Sequence, residues 1–227
     1  SPASAAPPVT TGLTLHLDAS QLTGLSDNDP VPTWTDMSGL GNNATTSAGT
    51  PIYKTGILNG QPVVRFDNNS ALQTADLSAQ FPSAATGFIV TTINNDDAYT
   101  LVKANPGVDE WWRYDGNGQS YPGFFRGDRL EGYCSMPNSG SHVFAVSSSE
   151  SAWEMWINGA SQGVAGANYN AGGALVIGNG SSGAGLNGDI AEVLIYSRVL
   201  NATELDAVGG YLTAKYGLST TYGPPIV

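Results

Sequence analysis

Residues 142–159 read HVFAVSSSESAWEMWING, two apolar alternating segments (142–148 and 153–158) closed by Asn158-Gly159. Both residues of a two-residue hairpin turn must tolerate positive φ, so Asn-Gly beside such segments reads as a β-hairpin. Residues 175–204, LVIGNGSSGAGLNGDIAEVLIYSRVLNATE, continue with a strand, a Gly/Ser/Asn loop, a long apolar strand and a capped helix start. A chain carrying these two stretches is committed to antiparallel β structure near its carboxyl end.

Further strands are expected at 13–19, 62–66, 87–93, 100–104, 110–115, 123–128, 174–178 and 190–196. About ten short strands separated by turns suit a two-sheet sandwich. The 29 Gly and 13 Pro, with charged residues at only 12 %, agree with that reading, and 227 residues fit one large β domain. One helix stands out. Asn201 followed by Glu204 forms a capping-box-like start, Leu205, Val208, Leu212 and Tyr216 recur at helical spacing, and Gly217 suits the C′ position. The helix is expected to lay its apolar stripe on the sandwich. The fold class is therefore all-β: a two-sheet antiparallel sandwich with one C-terminal helix.

Several segments also carry a resemblance. Leu13 to Ala19 reads L-x-L-x-L-D-A, Trp34 to Ala44 reads W-x-D-x-S-G-x-G-x-x-A, and Leu58 to Asp67 reads L-N-G-x-P-V-V-R-F-D. Later come His142, the run Trp156-Ile157-Asn158-Gly159, and Gly188, Ile190, Glu192, Val193, Tyr196, Arg198 and Leu200 in a G-x-I-x-E-V-x-x-Y-x-R-x-L pattern. Together they resemble the laminin-G-like domains of the concanavalin A-like lectin-glucanase superfamily, in their bacterial variety. The likeness implies the jelly roll over 12–218 and a structural role for His142. Where relatives often read I-D-E, this chain has Ala191 between Ile190 and Glu192. The fold hosts lectins, binding modules, hydrolases, lyases and adhesion domains, so it leaves the chemistry open.

Charge narrows the partners. Eight basic residues face 19 acidic ones, a net charge of −11. Non-specific nucleic-acid binding needs clustered Lys and Arg and is not expected. Neutral glycans or bound Ca²⁺ are compatible with an acidic surface. No run reaches the roughly 18 apolar residues of a membrane span. Cys134 stands alone, without a basic neighbour, and reads as a small half-buried hydrophobe. The Pro/Ala/Ser-rich residues 1–11 read as a linker or mature N-terminal extension, and 219–227 as a tail or second linker. A module tethered within a larger secreted or cell-surface bacterial protein is the expectation.

The richest functional segment is Asp109 to Tyr133, DEWWRYDGNGQSYPGFFRGDRLEGY. Aromatic rings stack on the C–H faces of sugars, while Arg, Asp and Glu pair with neighbouring hydroxyls. Strand alternation separates Trp111, Arg113 and Asp115 from Trp112 and Tyr114. Burying Arg and Asp is costly, so the first set is expected to face the open surface and bind ligand. Arg126, Asp128, Arg129, Glu131 and Tyr133 complete the candidate site, against a bland reading as exposed ion pairs and core aromatics. Calcium needs six to eight oxygens. Asp27 and Asp29 in one loop, and Asp96 and Asp97 in another, are the candidate ligands for a structural Ca²⁺ of the kind many relatives hold. Asx-turn chemistry accounts for the same clusters equally well. His16 shares a strand face with Asp18 and reads as a satisfied strand histidine.

The sequence lacks G-x-S-x-G, H-E-x-x-H, P-loop and C-x-x-C motifs. No E-x-D-x-x-E strand motif offers the carboxylate pair of a glycosidase. Non-catalytic carbohydrate binding by stacking and hydrogen bonding is the favoured function, with a polysaccharide or oligosaccharide as partner. A polysaccharide lyase or glycoside hydrolase on this fold is the alternative, and an adhesion or spacer domain the third reading.

Overall fold

The computed structural model describes residues 6–81, 83–94, 99–105, 110–114, 120–121, 136–165, 173–179 and 184–223; for residues 105, 110–114, 120–121 and 164–165 it describes the backbone. Strands are numbered in chain order. One sheet holds eight: β1 (Leu13–Asp18), β4 (Ile52–Leu58), β5 (Gln61–Asp67), β7 (Ala84–Ile93), β11 (Gly140–Ser149), β12 (Trp153–Ile157), β13 (Ala160–Ala165) and β15 (Asn187–Tyr196). The other holds seven: β2 (Thr33–Trp34), β3 (Ala44–Ala48), β6 (Ala71–Asp76), β8 (Tyr99–Asn105), β9 (Glu110–Tyr114), β10 (Ser120–Tyr121) and β14 (Ala174–Ile177). The first runs β13-β12-β11-β7-β15-β5-β4, with β1 also on β15; the second runs β10-β9-β8-β14-β6-β3-β2. The strand pairs are antiparallel. This is the two-sheet sandwich that the sequence predicts.

Alternation along the strands of the first sheet builds two cores. Val64, Phe66, Ile89, Phe144, Val146 and Val193 face the second sheet. Val63, Phe88, Val90, Val143, Ala145 and Leu194 face the other way, onto the single helix α1 (Ala202–Tyr216). A strand buried on both faces has no polar side, which is why IAEVLIY reads as a continuous apolar run.

Strand β15 organises this sheet. One edge pairs with β7 throughout; the other pairs with β5 over Asn187–Ile190 and with β1 over Glu192–Tyr196. The register shifts between Ile190 and Glu192. Ile190 lies in the inter-sheet core, whereas Ala191 and Glu192 both turn toward the helix side. A bulge breaks strict alternation in this way and re-aims a side chain.

The family-like motifs acquire physical roles. In the Trp34–Ala44 segment, Trp34 and Ala44 are fully buried. Between them Asp36 gathers four donors: the amides of His16 (2.9 Å), Ser38 (2.9 Å) and Asn42 (2.9 Å), and the Ser38 hydroxyl (2.7 Å). Gly39 and Gly41 sit at φ +90° and +75°, which lets the loop close around that carboxylate. Arg65 grips Asp189 with two hydrogen bonds of 2.7 and 2.9 Å.

The helix start follows its sequence signature. Asn201 accepts from the Glu204 amide and Glu204 from the Asn201 amide, each at 3.0 Å. Leu200 and Leu205 join the same core, as a hydrophobic staple requires. Arg198 makes two 2.7 Å bonds to Glu204; these, with the Asn201 amide, hold the Glu204 carboxyl at about 2. Gly217 ends the helix at φ +63°. Replacing Asn201 by Ala should cost about 0.5–2 kcal/mol of stability, read as a lowered urea midpoint with unchanged slope.

Two expectations are corrected. Asn158-Gly159 (φ +51° and +82°) does not join the 142–148 and 153–158 strands; it closes the next hairpin, from β12 to β13. The turn from β11 to β12 is built instead by Ser149, whose hydroxyl donates to the Ala152 carbonyl. Strands β2, β3, β4, β6, β10 and β13 have no counterpart among the expected ones. The expected strand at 123–128 lies outside the described residues.

Candidate functional site

Of the sugar-binding candidates, Trp111 and Arg113 lie in β9, on the seven-stranded sheet. The ladder sets Glu110 opposite Lys103, Trp111 opposite Val102, Arg113 opposite Thr100 and Tyr114 opposite Tyr99. The side chains of β9 lie outside the described residues, as do Asp115, Arg126, Asp128, Arg129, Glu131 and Tyr133. So do Asp96 and Asp97 of the calcium candidates. Asp27 receives the Lys54 ammonium at 2.9 Å and the Thr55 amide at 2.9 Å. Those bonds, the Thr55 amide foremost, lower its pKa. Asp29 accepts from the Ser26 amide at 2.7 Å, closing the loop on itself.

The same sheet carries an open polar groove of about 500 Å³ lined by Asn43, Thr45, Ser47, Gln73, Thr74 and Ala75. It lies on the face away from the core, since Ala44 and Leu72, which alternate with Thr45 and Gln73, are buried between the sheets. Register extends this face sideways: Thr45 opposes Gln73, Gln73 opposes Val176, Val176 opposes Lys103, and Lys103 opposes Glu110. At about 4.8 Å per strand, that row spans roughly 19 Å from β3 to β9. Thr45 is exposed, and neither it nor the half-buried Gln73 has a side-chain partner among the described residues. Hydroxyl, carboxamide and ammonium groups along one row can pair with the hydroxyls of an extended ligand.

The opposite side of the molecule holds a buried polar network that sequence reasoning saw only in part. His16 and Asp18 project from β1 toward α1, as their shared face predicts. Bulging of β15 brings Glu192 to them, and the last helical turn brings Lys215. His16 Nε2 lies 2.8 Å from Glu192 Oε1. Lys215 Nζ lies 2.7 Å from both Asp18 Oδ2 and Glu192 Oε2. Tyr211 and Tyr216 donate to Glu192 at 3.0 and 2.8 Å. Asp18 also caps the following turn, accepting from the Ser20 amide and hydroxyl.

Glu192 is 1 % exposed. Burial pushes its pKa up, but the His16 hydrogen bond and the Lys215 ammonium outweigh this and leave it below the ordinary value. The carboxylate is thus ionised, and His16 Nε2–H donates to it. Tyr216 is pushed well above its ordinary value by burial and by the charges of Glu192 and Asp18. Among the described residues, His16, Asp18 and Glu192 form the one group of His, Cys, Asp and Glu close enough to share a metal ion. The Lys215 ammonium already bridges its two carboxylates, and a His-containing set with so few oxygens does not suit calcium. The network anchors the helix. Its signal in the sequence was the pairing of His16 with Asp18 on one face; nothing local pointed to Glu192 or Lys215 as their partners.

His142 is structural. Its Nε2 donates to the Ser139 carbonyl at 2.9 Å, and its Nδ1 accepts from the Asn158 amide at 3.1 Å.

A family model for the concanavalin A-like lectin/glucanases superfamily matches residues 64–206. The chain belongs to that superfamily. The match begins within β5 and ends in the first turn of α1; it takes in β6, β8, β9 and β14 of the polar row, while β3 lies before it. No curated protein matches the chain. Solved structures share the fold at low identity. Domain 4 of AbnA, a GH43 extracellular arabinanase from Geobacillus stearothermophilus seen in complex with arabinotriose, aligns with TM-score 0.61 and 17 % identity, over 87 % of this chain and 98 % of that one. Trypanosoma rangeli sialidase aligns with TM-score 0.58 and 17 % identity, over 93 % of this chain and 34 % of its own. A botulinum neurotoxin type C structure, whose cell entry depends on two ganglioside molecules, aligns with TM-score 0.58 and 12 % identity, over 88 % and 51 %. The chain thus spans about a third of the sialidase and half of the neurotoxin chain. Among the described residues no helix is long and apolar enough to cross a membrane.

Proposed function

We propose that this chain is a non-catalytic carbohydrate-binding module that holds an oligosaccharide across the outer face of its seven-stranded sheet. The observation that carries the proposal is the polar row from Thr45 through Gln73 and Val176 to Lys103, which runs from an open groove to the aromatic strand β9. Likeness to an arabinanase domain in complex with arabinotriose, over nearly all of that domain, supports the ligand class. In this reading the row, which reaches β9 at Glu110, supplies hydroxyl partners, and β9 supplies the stacking platform from one of its two adjacent indoles, Trp111 with Arg113 beside it or Trp112. Each sugar contributes little, so affinity is modest and tethering to a neighbouring domain raises it through effective concentration.

Calorimetry with a panel of neutral oligosaccharides, arabinotriose included, tests the proposal. Binding should be saturable without release of reducing ends. Loss of one base-stacking aromatic typically costs about 1–3 kcal/mol in other stacking sites, so Trp111→Ala should weaken binding about tenfold or more. Trp112→Ala is the companion variant, because the ladder places Trp111 opposite the buried Val102. Loss of binding in Trp112→Ala alone moves the platform to that residue. Full binding in both variants removes β9 from the site, and unchanged binding in Gln73→Ala removes the row.

A further inference from the structure

The Leu58-Asn59-Gly60 run, part of one family-like motif, has a role that glycan recognition does not use. Leu58 and Gln61 pair across the end of the β4–β5 hairpin, and Asn59-Gly60 closes it at φ +50° and +75°. Both turn residues are exposed, and a Cβ built on Gly60 meets nothing within 4 Å. The Asn59 carboxamide reaches across to the end of α1. Its Nδ2 donates to the Lys215 carbonyl at 3.1 Å, and its Cγ lies against Gly217, where an added Cβ would stand 2.9 Å away. The last carbonyls of a helix have no partner within it. Here the Thr213 carbonyl receives the Gly217 and Leu218 amides, and the Lys215 carbonyl receives Asn59. The Oδ1 of Asn59 has no partner among the described residues.

An asparagine followed by glycine is open to attack by the next backbone nitrogen, because glycine has no side chain to obstruct the approach. The Gly60 nitrogen gives its proton to a solvent base, bonds to Asn59 Cγ and expels Nδ2 as ammonia, leaving a cyclic imide. Water then opens either imide carbonyl and leaves aspartate or isoaspartate at 59. At Asn59 this cyclisation breaks one exposed hydrogen bond. Two other Asn-Gly pairs are pinned. Asn158 Oδ1 accepts from the Val143 amide at 2.9 Å, its Nδ2 donates to His142 at 3.1 Å, and its carbonyl accepts from the Thr221 amide at 2.9 Å. Gly159 is packed so closely that a Cβ would stand 2.6 Å from Thr221 Oγ1. Asn187-Gly188 lies inside β15 between β5 and β7. Asn117-Gly118 and the glycine after Asn179 lie outside the described residues. The product at 59 loses the latch, since a carboxylate only accepts hydrogen bonds and the last carbonyls of a helix carry partial negative charge. Repulsion then replaces a hydrogen bond at the turn that carries Lys215.

We propose that Asn59 is a site of spontaneous deamidation, and that its conversion releases the carboxyl end of α1 from the β4–β5 turn. The site is independent of glycan recognition. The folded protein is held in mildly alkaline buffer while positions 59, 158 and 187 are followed by peptide mapping, with isoaspartate labelled by an isoaspartyl methyltransferase. The same time course is run in concentrated guanidinium chloride. In the folded protein Asn59 should convert ahead of Asn187 and about tenfold faster than Asn158 or more, the scale of the two carboxamide hydrogen bonds that Asn158 must first break. In denaturant the rates at 59 and 158 should converge, because each is then an unstructured Asn-Gly pair. Asn59→Asp reproduces the modified charge in a residue that tolerates positive φ. It should lower the melting temperature by a few degrees and quicken hydrogen exchange in the last turn of α1. Equal rates at 59 and 158 in the folded protein, a rate ratio unchanged by denaturant, or parent-like melting and exchange in Asn59→Asp would overturn the proposal.

Discussion

Replacing Lys215 by Met should destabilise the protein by about 3–5 kcal/mol, the cost of leaving buried carboxylates without their counter-ion. The lysine is held by Asp18 and Glu192 at 2.7 Å each and lies 5.5 and 5.1 Å from the ring centres of Tyr211 and Tyr216. Methionine matches its length and keeps the apolar contact, so the loss isolates the charge. Guanidinium unfolding would show a lower midpoint, and a loss below about 1 kcal/mol would mean that water reaches the carboxylates. The same network sets an acid limit. The Glu192 carboxyl has a lowered folded pKa, so its contribution is complete above the unfolded value of about 4.3 and disappears as pH falls through the lower folded value. In Glu192→Gln, stability should change less between pH 5 and the acid limit than in the parent, measured as unfolding midpoint against pH.

The second large effect is expected at Gly178. This residue follows β14 at φ +86°, and an added Cβ would stand 2.2 Å from the Phe66 ring. Its amide donates to Leu101 at 2.8 Å and its carbonyl accepts from Leu186 at 2.9 Å, so the backbone is pinned on both sides. Phe66 is 1 % exposed in the inter-sheet core and has little room to yield. Gly178→Ala should combine a left-handed penalty of about 1–2 kcal/mol with overpacking of about 1–3 kcal/mol. Scanning calorimetry should show a melting temperature lowered by several degrees. A near-neutral result would mean that the Phe66 ring swings aside.

How much of this was legible follows from where the information lies. Strands β7, β11, β12 and β15 announce themselves because each contributes to a core and carries apolar residues in sequence. Strand β3, ATTSA, does not: one of its residues is buried, and its pairing is supplied by β2 and β6. The Asn158-Gly159 turn was correctly a hairpin turn but joined a different pair of strands, since turn chemistry specifies a local bend and leaves the partners unnamed. The sugar-site candidates cluster in 109–133 by composition, and the ladder places β9 at the end of the polar row. Neither Thr45 nor Gln73 stands out in the sequence; they matter because register aligns them.

Local patterns alone determined the all-β class, the capped terminal helix, the tight glycine turns and the membership signalled by the Asp36 loop and the β15 motif. These depend on neighbours within a few residues, where periodicity and capping act directly. The tertiary structure decided the rest. His16 and Glu192 are 176 residues apart, and Lys215 is 197 from Asp18. A bulge in β15 and the docking angle of one helix bring them within hydrogen-bond reach. Contacts of that range depend on how sheets stack and shift register, and no window of sequence contains them.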